Sequence, residues 1–157
     1  MVELELKYEL LCELTGLLGD PQEIGKAPRG TRIIIPVIGG KIEGPKINEK
    51  VLPFGADWIL TRPDGVEELD IRATIQTDDG RLIYIYYRGL NWASPEDKDR
   101  LKKGEYGDPS EYYFRTTPIF ETSSEKYDWL NNIICVGIGK LISGGVQYKI
   151  YEILWQT

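Results

Sequence analysis

Apolar and polar residues alternate with a period of two over most of this chain, the spacing of strands that turn one face inward and the other to water. Leu4, Leu6, Tyr8 and Leu10 alternate with Glu3, Glu5, Lys7 and Glu9, predicting a first strand with one wet face. Glycines and prolines crowd GLLGDPQEIGKAPRG, which reads as a loop. TRIIIPVIGGKIEGPKI is a strand broken by Pro36 and by Gly39–Gly40, features of an edge, a bulge or a sharp bend.

Residues 50–90 then supply three strand candidates separated by the turn signals RPDG and TDDG. The pattern changes in SPEDKDRLKKG. Ser94 stands as N-cap, Pro95 follows at the first helical position, acids come early and bases late, and Gly104 closes the segment, predicting a short helix. EYYFRTTPIFET resumes strand periodicity, SSEKYDWLNN suits a further helical turn, and the chain closes in a hairpin turning at Ser143–Gly144–Gly145. The glycines of 137–145 read as a flexible hairpin. No strand–helix alternation and no repeat is visible. The pattern predicts an all-β fold, one domain over 1–157. About eight strands form an antiparallel barrel or strongly bent sandwich, with a helical excursion at about 92–104.

The stretch ELDIRATIQTDDGRLIYIYY, residues 68–87, poses a choice that patterning does not settle. Asp70, Arg72, Thr74 and Gln76 alternate with Leu69, Ile71, Ala73 and Ile75, and either set can point inward. The following strand is apolar on both sides, Leu82, Tyr84 and Tyr86 against Ile83, Ile85 and Tyr87, so both sides call for a cover. The barrel interior would cover one side. A second copy of the chain, or the 92–104 helix, would cover the other. A two-residue turn at Asp79–Gly80 puts Arg72 beside Tyr87; a three-residue loop puts the polar set beside Tyr84 and Tyr86. If the polar set is inward, Arg72 and Arg115 face a cavity with tyrosines alongside. In YYFRTTPIFET, Tyr113, Arg115, Thr117 and Glu121 share a face. If the polar set is outward, these are solvated surface pairs.

Composition narrows the chemistry. The chain has 157 residues, 41% hydrophobic and 28% charged, the make-up of an ordinary globular domain. A net charge of −6 argues against general nucleic-acid binding. No apolar run approaches the roughly 20 residues of a membrane helix. The acid-rich start does not resemble a signal peptide, so a cytoplasmic location is expected, with Cys12 and Cys135 as reduced core thiols. Histidine is absent, which removes Ser-His-Asp and Cys-His catalysis and His-ligated zinc. Asp78–Asp79–Gly80 lacks calcium-loop spacing, and GIGKLISGG lacks that of a phosphate loop. No metal and no cofactor are expected.

Five elements taken together, GADW, DIR, TDDG, FRT-P-FET and Y-WLN, resemble the domain-of-unknown-function 3237 family of small bacterial and fungal proteins, over nearly the whole chain. The resemblance implies a β-barrel related in shape to the calycins, and it implies no established mechanism. Among its motif positions Gly55 and Gly80 read as turn glycines, Asp78 as a turn cap and Leu130 as core. Asp57, Trp58, Arg72, Arg115, Glu121 and Asn131 are positions that packing does not need.

Three readings of function follow. In the first, a cofactor-free lyase, isomerase or cyclase binds an aromatic, keto or acidic small molecule in the barrel. Arg72 and Arg115 would stabilise developing negative charge, Asp57 or Glu121 would move the proton, and Trp58, Tyr87, Tyr113 and Asn131 would bind the substrate. In the second, the same barrel carries a ligand without transforming it. In the third, the two-sided apolar strand is a docking face, most simply for a homodimer.

Overall fold

The computed structural model describes residues 3–156. Nine strands form one antiparallel sheet. They are β1 (Tyr8–Leu18), β2 (Gln22–Ala27), β3 (Gly30–Glu43), β4 (Asn48–Thr61), β5 (Glu67–Gln76), β6 (Leu82–Ala93), β7 (Tyr112–Thr122), β8 (Cys135–Ile142) and β9 (Gly145–Ile153). The order is β1-β9-β8-β7-β6-β5-β4-β3-β2, and a further β1–β3 pairing closes eight strands into a barrel. β2 is an extra strand, hairpinned onto β3. It lies in the segment expected to be loop, since its glycine and its exposure disguise an edge strand.

The first strand begins later than the alternation suggested. Residues 3–7 are irregular, and Leu4, Leu6, Tyr8 and Leu10 are all exposed. A register shift between Leu10 and Cys12 resets the parity, after which Cys12 and Leu14 turn into the core.

Register and burial together settle the open choice at residues 68–87. Thr77 N–H donates to Arg81 O, so Asp78–Asp79–Gly80 is a three-residue loop, with Gly80 at φ 78°. Arg72 therefore pairs with Tyr86 and Thr74 with Tyr84, while Ile71 pairs with Tyr87. The apolar set is inward: Leu69, Ile71, Ala73 and Ile75 are buried, as are Ile83, Ile85 and Tyr87 on β6. The turn is held by Asp79, which accepts from Thr77 Oγ1 and Ser124 Oγ, and Asp78 instead pairs with Lys126 Nζ at 3.0 Å.

One end of the barrel is filled. Ile75, Ile83, Phe120, Tyr127 and Leu130 pack there, closed by a 3₁₀ segment at Glu125–Asn132. Over the other end lies α1 (Pro95–Lys102), capped as its sequence predicts by Ser94, whose hydroxyl accepts from the Asp97 amide at 3.2 Å. Leu101 packs against the core, and Lys98 Nζ donates to Gly65 O, so the helix covers the barrel mouth and not the outer wall. The β8 glycines are packing residues: a Cβ at Gly139 would stand 2.5 Å from the Phe114 ring, which fills the space where a side chain would be. Among the described residues no helix is long and apolar enough to cross a membrane.

Candidate functional site

Between the filled end and α1 the barrel encloses a cavity of about 680 Å³, within the range of small-molecule sites. Its walls are mainly aliphatic, from Leu14, Val37 and Val51 round to Ile71, Ala73 and Ile85, with Phe114 and Val146 across from them. Polar groups enter at two levels. Asp57, Ile71 and Tyr87 form one row across β4, β5 and β6; Thr61, Glu67 and Asn91 form the next row toward the mouth. The rows are four residues apart on each strand, about 13 Å along the chain.

Asp57 sits at the deeper level and is 9% exposed. Its Oδ1 accepts the Asp70 amide at 3.1 Å. Burial pushes its carboxyl from the ordinary 3.8 up to about 7; the Asp70 amide opposes the shift, and the charges of Glu67 and Asp70 add to it. Tyr87 and Tyr148 stand nearby with ring centroids 5.2 Å apart, edge to face, and their hydroxyls are hydrogen-bonded. Both phenols are raised by burial, and the Asp57 charge adds to each shift, so both are neutral at neutral pH, with Tyr148 donating to Tyr87. Phe114 packs on Tyr148 at 5.3 Å.

At the mouth, Glu67 Oε1 accepts from Asn91 Nδ2 at 3.0 Å. Burial raises this carboxyl, while Lys98, the Asn91 hydrogen bond and Lys102 oppose the rise. Glu23 and Arg32 complete the charged rim.

Of the residues expected from sequence, the structure brings Asp57 and Tyr87 into the cavity and leaves the others outside it. The inward expectation for Arg72 and Arg115 is corrected by strand parity: each is one residue out of phase with the inward set. Arg72 lies over the Trp58 and Tyr86 rings at 5.7 and 5.3 Å, with Asp70 Oδ1 3.9 Å from its Nε. Arg115 lies 4.7 Å from the Tyr113 ring and donates to Phe114 O. Trp58 follows Asp57 on β4 and so cannot share its face. Tyr113 and Glu121 are exposed on the outer face of β7. Asn131 is structural in position: its Oδ1 accepts from Thr122 N–H at 2.8 Å and its Nδ2 donates to Thr122 O, tying the 3₁₀ segment to β7.

Glu67, Asn91, Tyr148, Lys98 and Lys102 were not singled out from sequence. The first three stand in phase with inward residues, Glu67 with Leu69 and Ile71, Asn91 with Ile85 and Tyr87, Tyr148 with Val146 and Ile150. Phase was thus the available signal. The lysines carry none, because the docking of α1 is a tertiary outcome.

The family model described as "Protein of unknown function (DUF3237)" matches residues 6–153. A UPF0311 protein of Clostridium acetobutylicum, CA_C3321, is 42% identical over 150 residues, covering 95% of each chain. The crystal structure of RPA1785, a conserved protein of unknown function from Rhodopseudomonas palustris, superposes with a TM-score of 0.92 at 35% identity, over 97% of this chain and 100% of that one. A crystal structure described as an enzyme from Penicillium herquei shares the fold at a TM-score of 0.70, with 23% identity and 97% of each chain covered.

Proposed function

The chain belongs to the family of proteins of unknown function DUF3237, a membership that assigns no activity, and from the cavity we propose that it is a cofactor-free enzyme moving a proton on a small, largely apolar organic molecule. The observation that carries the reading is the Asp57 carboxyl, raised to about 7 inside an aliphatic cavity and oriented by one backbone amide. A group that titrates near the working pH can both take and return a proton. Tyr87, neutral and unable to compete as a base, accepts from Tyr148 and keeps its own O–H to donate to an oxygen that becomes negative as an enolate or phenolate forms. Isomerisation, elimination and cyclisation of keto or phenolic compounds all fit this set. Arg72 and Arg115, on the outer wall, take no part.

The test is a thermal-shift screen of aromatic acids, phenols and keto acids on wild type and Asp57→Asn. Each stabilising compound is then incubated in D₂O and followed by NMR. The wild type should exchange or transform a compound that both proteins bind, and Asp57→Asn should slow this by about a hundredfold or more. Exchange unchanged in the variant refutes the role of Asp57. Stabilisation of both proteins without any exchange or conversion would support the alternative, a barrel that stores its ligand.

A further inference from the structure

A polar row crosses the barrel mouth beneath α1. Thr31 pairs with Thr61, Thr61 with Glu67 and Glu67 with Asn91, so these residues of β3, β4, β5 and β6 stand side by side, and all four line the cavity. Residues directly opposite on antiparallel strands hold their Cβ atoms about 5 Å apart, and Asn91 Nδ2 reaches Glu67 Oε1 at 3.0 Å. Below this row the wall is aliphatic, with Ile33, Ile59 and Leu69, and the row of Asp57 and Tyr87 comes only after it. A guest that meets both polar rows must therefore be elongated.

Glu67 is held ready to accept. Its Oε2 takes no hydrogen bond among the described residues and is not sealed from access. Asn91 is buried, its Oδ1 has no partner, and its one side-chain hydrogen bond among the described residues is the one that orients Glu67. The Thr31 and Thr61 hydroxyls are likewise uncommitted among the described residues, so the row offers further polar contacts beside the carboxylate.

Charge decides what this row takes. Lys98 and Lys102, one turn apart on α1, line the same cavity and favour the ionised form of Glu67. Neither comes within ion-pair distance of it, and Lys98 Nζ donates to Gly65 O instead. Glu23 and Arg32 stand elsewhere on the rim. A cationic end group would meet the two lysines, and an anionic one would meet Glu67. An apolar end would cover Oε2 and leave a carboxylate oxygen without a partner. A neutral hydrogen-bond donor escapes all three penalties.

We propose, building on the reading of Asp57 above, that the mouth row is a second subsite in which Glu67 Oε2 accepts a hydroxyl of the substrate. The substrate is then a long, largely apolar carbonyl compound, its enolisable end at Asp57 and Tyr87 and an alcohol or phenol at its other end. Asn91 is the positioning residue for Glu67. Glu67 binds and orients, and it takes no proton from carbon. A second hydroxyl next to the first would find Thr61 and Thr31 along the same row.

The probes are phenyl ketones whose alkyl chains, about five to eleven carbons to bracket the spacing of the rows, end in a hydroxyl, a methyl ether, a hydrogen or a carboxylate. Calorimetry gives Kd, and NMR in D₂O follows exchange beside the carbonyl. In wild type the hydroxyl should improve binding about tenfold over hydrogen at one favoured chain length and less on either side of it, and the ether, which cannot donate, should gain nothing. Glu67→Gln keeps an oxygen for Asn91 and turns its NH₂ toward the cavity. It should lose the preference for hydroxyl over ether and bind the carboxylate probe about tenfold tighter than wild type, because the two lysines remain. Asn91→Leu should weaken the hydroxyl preference and leave the hydrogen-ended probe bound as before. Equal binding of hydroxyl and hydrogen probes at every length, a preference that survives in Glu67→Gln, or a wild type that favours the carboxylate overturns the subsite and leaves the Asp57 reading in place. An intact hydroxyl preference with exchange unchanged in Asp57→Asn overturns the Asp57 reading and leaves the subsite. Failure of every probe to bind overturns the elongated substrate.

Discussion

Replacing Asp57 by Asn should make the protein more stable, and by an amount that depends on pH in a calculable way. The folded carboxyl titrates at about 7 and the unfolded one near 3.8. Its folded pKa is raised, so its stability contribution is fully present below the unfolded value and is lost as pH rises through the folded one. Below about pH 4 the group is neutral in both states and the substitution exchanges one neutral hydrogen-bond acceptor for another. Between about pH 4 and pH 7 the unfolded chain ionises first, and wild type loses about 1.4 kcal/mol per unit. Above about pH 7 the loss levels off at about 4 kcal/mol. The carboxamide of the variant still accepts from the Asp70 amide and carries no charge to bury. Urea melts of both proteins at about pH 4 and about pH 8 should therefore diverge, with Asp57→Asn ahead by about 4 kcal/mol at the higher pH, roughly 8–16 °C in Tm for a chain of this size. A difference that does not change with pH would mean that Asp57 titrates as an ordinary carboxylate, and the proposed chemistry would lose its proton carrier.

Arg72→Met should leave any activity unchanged and cost at most about 1 kcal/mol in urea melts, since its partners Trp58, Tyr86 and Asp70 are on the outer wall. Gly139→Ala drives a Cβ into the Phe114 ring and should destabilise by about 1–3 kcal/mol, with weaker ligand binding because Phe114 also lines the cavity. Burial pushes the thiols of Cys12 and Cys135 up to about 12, so iodoacetamide followed by mass spectrometry should modify neither in the native protein at neutral pH and both in urea. The outer faces of Leu82 and Tyr84 are left open by α1; light scattering should give a dimer, weakened by Tyr84→Lys, if a second copy is their cover.

The all-β architecture was legible because the alternation is regular and the breaks are chemically explicit. Ser94, Pro95 and Gly104 bound the helix, and Gly80 marks its turn. Two local features escaped. β2 looked like loop because an exposed edge strand has no inward face to write into its sequence. The start of β1 was misplaced because Leu4 to Leu10 alternate without being buried. The site was less legible for a different reason. Interleaved Arg and Tyr on β5 and β7 read equally well as a cavity wall or as an outer stripe of cations on rings. The loop at 78–80 fixes only the register that puts Arg72 beside Tyr86; which face of each strand closes the barrel is a tertiary outcome, decided by the burial of Leu69, Ile71, Ala73 and Ile75. Once Leu69 and Ile71 are inward, phase alone draws Glu67 inward, just as Ile59 draws Asp57 and Ile85 draws Tyr87.

On the proposed reading, the binding cavity and the acid–base centre coincide for a physical reason. The aliphatic wall that would hold an apolar guest is what withholds solvation from Asp57 and raises its carboxyl. A guest that displaces the remaining water strengthens the same effect, so occupancy and proton affinity rise together. Asp57 is, on this account, a costly side chain at neutral pH, and the change to Asn would relieve it. A fold gains nothing structural from that carboxyl that the amide would not supply, because the one contact it makes, to the Asp70 amide, needs only an oxygen. A destabilising charge, oriented on one side and open on the other, is what the proposed proton-transfer role would require of Asp57.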